Sequence, residues 1–171
     1  SKRIFRIGSP VVALVFAAGL TAFAQSNSSD RQFAKEAASG GQAEVKLGQL
    51  AQSNGQSEAV KSFGQKMVTD HSKAGEELKR VTEKDNMQAE DTLSAKDQAT
   101  YDRLAKLRGA EFDRAYARTM VQDHQQDIAE FQKEASQGQD QGLKQFAQSN
   151  LPTLREHLKM AQAMNQSVSK S

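Results

Sequence analysis

The chain has 171 residues, with three histidines and neither cysteine nor tryptophan. Without cysteine there are no disulfides, no thiolate metal sites and no lipid-modified cysteine to anchor the protein. Its 23 Lys+Arg slightly exceed its 21 Asp+Glu, but residues 1–24 hold three of those bases and none of the acids; the remaining 20 against 21 are near neutral, which gives no argument for nucleic acid as a partner.

Residues 1–24 read as a secretory signal peptide. Lys2, Arg3 and Arg6 form a basic start, Val11 to Leu20 an apolar centre, and Ala22-Phe23-Ala24 a small-x-small cleavage site. The apolar stretch from Pro10 to Ala24 has 15 residues, short of the ~20 that a spanning helix needs. No transmembrane span is therefore expected after cleavage, and the expected location is the periplasm or cell envelope. An anchor left uncleaved is the competing reading.

Residues 25–29 (Gln-Ser-Asn-Ser-Ser) are expected to be a flexible leader, with Ser29 or Asp30 as a helix N-cap. Residues 30–166 then read as one helical domain. A first helix is predicted over about 30–53, with Phe33, Ala37, Gly40, Leu47 and Ala51 at helical spacing, ending at Ser53-Asn54-Gly55. A second, over about 57–85, has the clearest stripe: Val60, Phe63, Met67, His71, Ala74, Leu78 and Val81.

After a loop at 86–93, Ser94 caps a short helix carrying Tyr101, Leu104 and Leu107. A third long helix spans about 109–136, with Phe112, Met120, His124, Ile128 and Phe131 on one face. The last spans about 143–166, with Leu143, Phe146, Leu154, His157 and Ala161 inward and a kink or short break expected at Pro152. Residues 167–171 are expected to be a disordered tail. Four long amphipathic helices and a short extra one between the second and third predict an all-α four-helix bundle. Two echoes hint at a duplicated hairpin: Phe33-Ala34-Lys35-Glu36-Ala37 with Phe131-Gln132-Lys133-Glu134-Ala135, and a Met-Val-x-Asp-His frame that recurs 53 positions on.

All three histidines follow a carboxylate: Asp70-His71, Asp123-His124 and Glu156-His157. Helical phase turns His71 and His124 into their apolar stripes, sets His157 at the edge of its own, and gives Glu44 the matching position on the first helix. Buried ionisable groups cost several kcal/mol unless they find partners or a metal. Glu44, His71, His124 and His157 are therefore the candidate ligands of one zinc, copper or iron ion. Asp70 and Asp123, rotated ~100° from their histidines, are candidate acceptors for the imidazole N–H groups. Met67, Met120 and Met160 lie three or four residues from histidines and read as packing rather than as copper ligands.

The ordered motifs resemble the domain of unknown function 4142 family. They are Glu44-Val45-x-Leu47-Gly48-x-Leu50-Ala51, Val60-Lys61-x-Phe63-Gly64-x-x-Met67-x-x-Asp70-His71, Phe112-Asp113-x-x-Tyr116-x-x-x-Met120-x-x-Asp123-His124, and Leu143-Lys144-x-Phe146-Ala147 with Leu151-Pro152-x-Leu154-x-x-His157-Leu158. The resemblance covers about residues 30–163. It implies a ferritin-like bundle and an exported bacterial protein, of the kind often labelled a membrane or outer membrane protein, and it implies no established activity.

A carboxylate-bridged di-iron centre would need Glu-x-x-His on two helices, and Val68, Val121 and Leu154 stand where those glutamates would be. The leading expectation is a non-enzymatic binding protein for one transition-metal ion, with a role in envelope stress or metal homeostasis. A structural or interaction module with a hydrogen-bonded Glu/His core is the first alternative. A metal-dependent oxidoreductase, drawing further carboxylates from Glu36, Asp127 or Glu134, is the second.

Overall fold

The structure, a computed structural model, describes residues 20–84, 87 and 92–170. Among them the chain forms five helices and no strand: α1 (Leu20–Asn54), α2 (Glu58–Lys84), α3 (Ala95–Ala105), α4 (Gly109–Gln137) and α5 (Gln141–Val168). Tight turns fold α1 against α2 and α4 against α5. The two hairpins then pack through α2 on α5 and α1 on α4, and α3 lies along α1. None of the described helices is long and apolar enough to cross a membrane.

Two buried aspartates fix the helix directions. Asp113, at the start of α4, accepts from the backbone N–H groups of Gln56 (3.0 Å) and Ser57 (2.8 Å) in the α1–α2 turn. Asp30, in the first third of α1, accepts from the backbone N–H groups of Gln139 (3.1 Å) and Asp140 (2.8 Å) in the α4–α5 turn. Each carboxylate satisfies two donors that a helix start leaves unpaired. The long helices accordingly run up, down, down and up. The segment from Lys84 to Gly109, α3 included, crosses from one end of the bundle to the other, giving the four-helix bundle with one long crossover. Ser94 caps α3 by accepting from Asp97 N at 3.1 Å.

The clamps also reveal the register of the duplication. Asp30 and Asp113 stand 83 positions apart, as do Gln56 and Gln139, and Ser57 and Asp140. At that offset Asp30-Arg31-x-Phe33-Ala34 matches Asp113-Arg114-x-Tyr116-Ala117, and Val60-Lys61-x-Phe63-Gly64-Gln65 matches Leu143-Lys144-x-Phe146-Ala147-Gln148. The Asp-His frames 53 positions apart are thus not equivalent. In this register Leu154 answers His71 and Gly41 answers His124.

Several expectations need correction. Residues 25–29 are helical within α1 rather than a flexible leader, and Asp30 clamps a distant turn instead of capping its own helix. Of the expected signal segment, residues 1–19 lie outside the described residues and residues 20–24 belong to α1. Helix α5 runs unbroken through Pro152, which lies on the exposed face of the helix. The last helix also extends past residue 166 to Val168, because that side chain is 3% exposed and packs in the core. Of the expected 86–93 loop, Met87, Thr92 and Leu93 are described, and Met87 is buried.

The core divides into two apolar clusters. One, at the α1–α2 turn end, includes Leu47, Val60, Phe63, Met67, Phe112 and Met120. The other, at the α4–α5 turn end, includes Phe33, Leu78, Phe131, Leu143, Phe146 and Leu154. On every long helix one ionisable residue separates the two stretches: Glu44, His71, His124 and His157. The antiparallel packing brings those four positions to one level.

Candidate metal centre

The four inner residues meet. The imidazole centroids lie 5.7 Å (His71–His124), 5.4 Å (His71–His157) and 5.3 Å (His124–His157) apart. Glu44 Oε2 is 2.8 Å from His71 Nδ1, and Oε1 is 3.3 Å from His124 Nε2. All four side chains are buried, His124 completely. One ring nitrogen from each histidine falls within 4.8 Å of the other two.

The outward ring nitrogens have acceptors. His124 Nδ1 donates to the Met120 carbonyl one turn back at 2.8 Å, a contact that helical geometry supplies. His157 Nε2 donates to Asp70 Oδ2, also at 2.8 Å. Those bonds fix the tautomers, so His124 Nε2 and His157 Nδ1 carry lone pairs. The two face each other at 3.3 Å. His71 turns Nδ1 to Glu44, leaving its buried Nε2 with no hydrogen-bond partner among the described residues. Both oxygens of Glu44 likewise lack a well-directed hydrogen bond and meet the imidazoles only as ion-pair contacts.

The electrostatics follow from burial. Burial pushes His124 below the usual imidazole value, against the pull of Glu44, and lowers His157 to about 4 despite its bond to Asp70. Burial opposes charge on His71 as well, but Glu44 more than compensates and raises it. Burial would raise Glu44, yet the imidazoles around it hold it at about 2. A carboxylate and two neutral imidazoles with converging lone pairs can share a proton or hold a cation.

The aspartates beside the histidines differ in role. Asp70 serves His157 on α5 rather than its neighbour His71, and also pairs with Lys66 at 3.1 Å. Asp123 makes no contact with an imidazole among the described residues; it lines an acidic pocket between α1, α3 and α4 on the other side of Glu44, where burial and then Glu44 raise it to about 7. Met67 and Met120 sit in the apolar core, and Met160 packs against it. Glu36 is exposed, and Glu134 lies beside Asp30 at the far end of α4, so neither joins the cluster. The Met120 carbonyl could have been found from sequence, since any helical histidine has a carbonyl four residues back.

A family model described as "Domain of unknown function (DUF4142)" matches residues 16–164. Among solved structures, a DUF305 fragment from Deinococcus radiodurans superposes with a TM-score of 0.70 at 13% identity, covering 84% of this chain and 97% of that one. Similarity at that identity concerns the fold alone. No curated protein matches.

Proposed function

Since the chain belongs to the DUF4142 family, whose description carries no activity, we propose from the site itself that the protein binds one divalent transition-metal ion. His71, His124 and His157 would be the ligands, each through one ring nitrogen (Nε2 of His124 and Nδ1 of His157), with Glu44 as a fourth. Asp70 and the Met120 carbonyl orient two of the rings from behind. The observation that carries this reading is the convergence of one ring nitrogen from each histidine within 4.8 Å, with His124 Nε2 and His157 Nδ1 3.3 Å apart while their other nitrogens donate to the Met120 carbonyl and Asp70. Three imidazoles and a carboxylate suit Zn²⁺ and Cu²⁺ best, with Cu²⁺ the tighter by the usual order of affinities.

The competing reading is a hydrogen-bonded core network. It requires a proton between His124 and His157, the two imidazoles that burial makes least willing to hold one. A dinuclear oxidoreductase draws no support from Glu36 or Glu134, which lie away from the cluster; Asp127 shares the cavity lining with Glu44, but burial and then Glu44 hold it toward its neutral form, a poor bridging ligand. The reading is therefore of a binding protein rather than an enzyme, serving metal homeostasis or envelope stress. The basic and apolar pattern of residues 2–24 is what supports placing it in the periplasm or cell envelope.

Calorimetric titration and metal analysis with Zn²⁺, Cu²⁺ and Fe²⁺ test the proposal on wild type, His71→Ala and His124→Ala, with circular dichroism to verify folding. One ion per chain is expected in the wild type, with affinity lost by about a hundredfold or more in either variant. Equal, weak binding in all three proteins refutes the centre.

A further inference from the structure

A cavity of about 910 Å³ opens directly onto this cluster. Glu44, Asp70, His71 and His157 form its inner end, while Leu78, Phe131, Phe146 and Leu154 supply apolar wall. The duplication explains why there is room. At the 83-residue offset, His124 corresponds to Gly41, His157 to Ala74 and Met120 to Ala37, and all three small residues line the cavity. One hairpin fills its inner volume with large side chains; the other leaves the equivalent volume open. The partnerless Nε2 belongs to a cavity-lining residue, His71, which is 7% exposed.

We propose that this cavity binds a small monocarboxylate with an apolar body, its head reaching the metal held by His71, His124 and His157. The inference rests on the metal reading above and adds the ligand class. Its apolar part follows from the wall residues, since burial of a hydrocarbon body is favourable in proportion to area removed from water. Its charge follows from a count at the inner end. Three neutral imidazoles and Glu44 leave a divalent ion with one unbalanced positive charge, and Asp70 is already taken up by Lys66 at 3.1 Å. Lys46, Lys79, Glu76 and Glu83 also line the cavity with no excess of either sign, so the inner end decides. Asp127, on the same lining, is held toward its neutral form chiefly by burial.

Gly41→Leu is the diagnostic variant. A Cβ at Gly41 meets nothing within 4 Å, and replacing a helical glycine favours folding by roughly 1 kcal/mol, so the variant folds while filling the cavity. Co²⁺ serves as the spectroscopic metal and octanoate as the probe, with octylammonium as the comparison of opposite charge. In Co²⁺-loaded wild type, octanoate is expected to change the visible d–d bands and to bind about tenfold or more tightly than octylammonium. Gly41→Leu is expected to keep its Co²⁺ and lose octanoate affinity by about tenfold or more. Co²⁺ uptake with no response to octanoate overturns the inference while leaving the metal centre standing. Equal octanoate binding by Gly41→Leu, or preference for octylammonium, also overturns it. Failure to take up Co²⁺, Zn²⁺ and Cu²⁺ alike is the separate result that removes both readings.

Discussion

Glu134 is a buried acid placed where ionisation is costly, and its removal is a quantitative test of the fold's electrostatics. Its side chain is 4% exposed. Burial, then the neighbouring charge of Asp30 and the bond to it, raise its pKa from 4.5 to about 7. The equivalent position in the first hairpin is Ala51, so this acid has no counterpart there. In the unfolded chain the carboxyl loses its proton near pH 4.5, whereas the folded protein keeps it until about 7. Folding therefore binds a proton across that window, and stability falls as pH rises through it. At ~1.4 kcal/mol per pKa unit, the loss reaches about 3 kcal/mol above pH 7. Glu134→Gln cannot ionise. Urea unfolding with chelator present, run from pH 4.5 to 8.5, is expected to find the variant near wild type at the acid end. It should be about 3 kcal/mol more stable than wild type at pH 8, and Glu134→Ala should reproduce the same pH trend on a different baseline. A difference between wild type and Glu134→Gln that does not change with pH refutes the reasoning.

Three further outcomes are expected. Gly48→Ala puts a Cβ 2.5 Å from the Gly64 carbonyl oxygen and 3.1 Å from Val68 Cγ2, forcing α1 and α2 apart. A loss of about 2–3 kcal/mol in chemical denaturation is expected, and an unchanged midpoint contradicts it. Asp70→Ala removes the acceptor behind His157 and should weaken the metal about 10–100-fold at unchanged stoichiometry, read by competition with a chelating dye; unaltered affinity denies Asp70 its orienting role. Tyr116→Phe deletes a buried hydroxyl that has no hydrogen-bond partner among the described residues and copies Phe33 of the other hairpin. It should leave metal-free stability equal or higher by about 1 kcal/mol, and a marked loss in thermal unfolding argues that the hydroxyl is bonded.

Much of the architecture was legible along the chain because helical periodicity is local. Steps of three and four residues placed α2, α4 and α5 within a few positions of their ends, and the same phase turned Glu44, His71, His124 and His157 inward. Gln25 to Ser29 look like a polar leader, yet they are helical in α1. Elsewhere a distant partner overrides local chemistry. Asp30 looks like a cap, yet its carboxylate closes a turn more than a hundred residues away. The duplication was visible as an echo, but its register needed the matched clamps of Asp30 and Asp113.

By itself the sequence determined an all-α bundle with an ionisable residue facing inward near the middle of each long helix, since period and burial depend only on neighbours along the chain. Only the tertiary structure decided that these four residues share a level, that Asp70 serves the imidazole of another helix, and that Asp123 serves none. It also decided that the space beside them is open. Those facts depend on helix direction and crossing, which are set by contacts between residues far apart in sequence and carry no local signature.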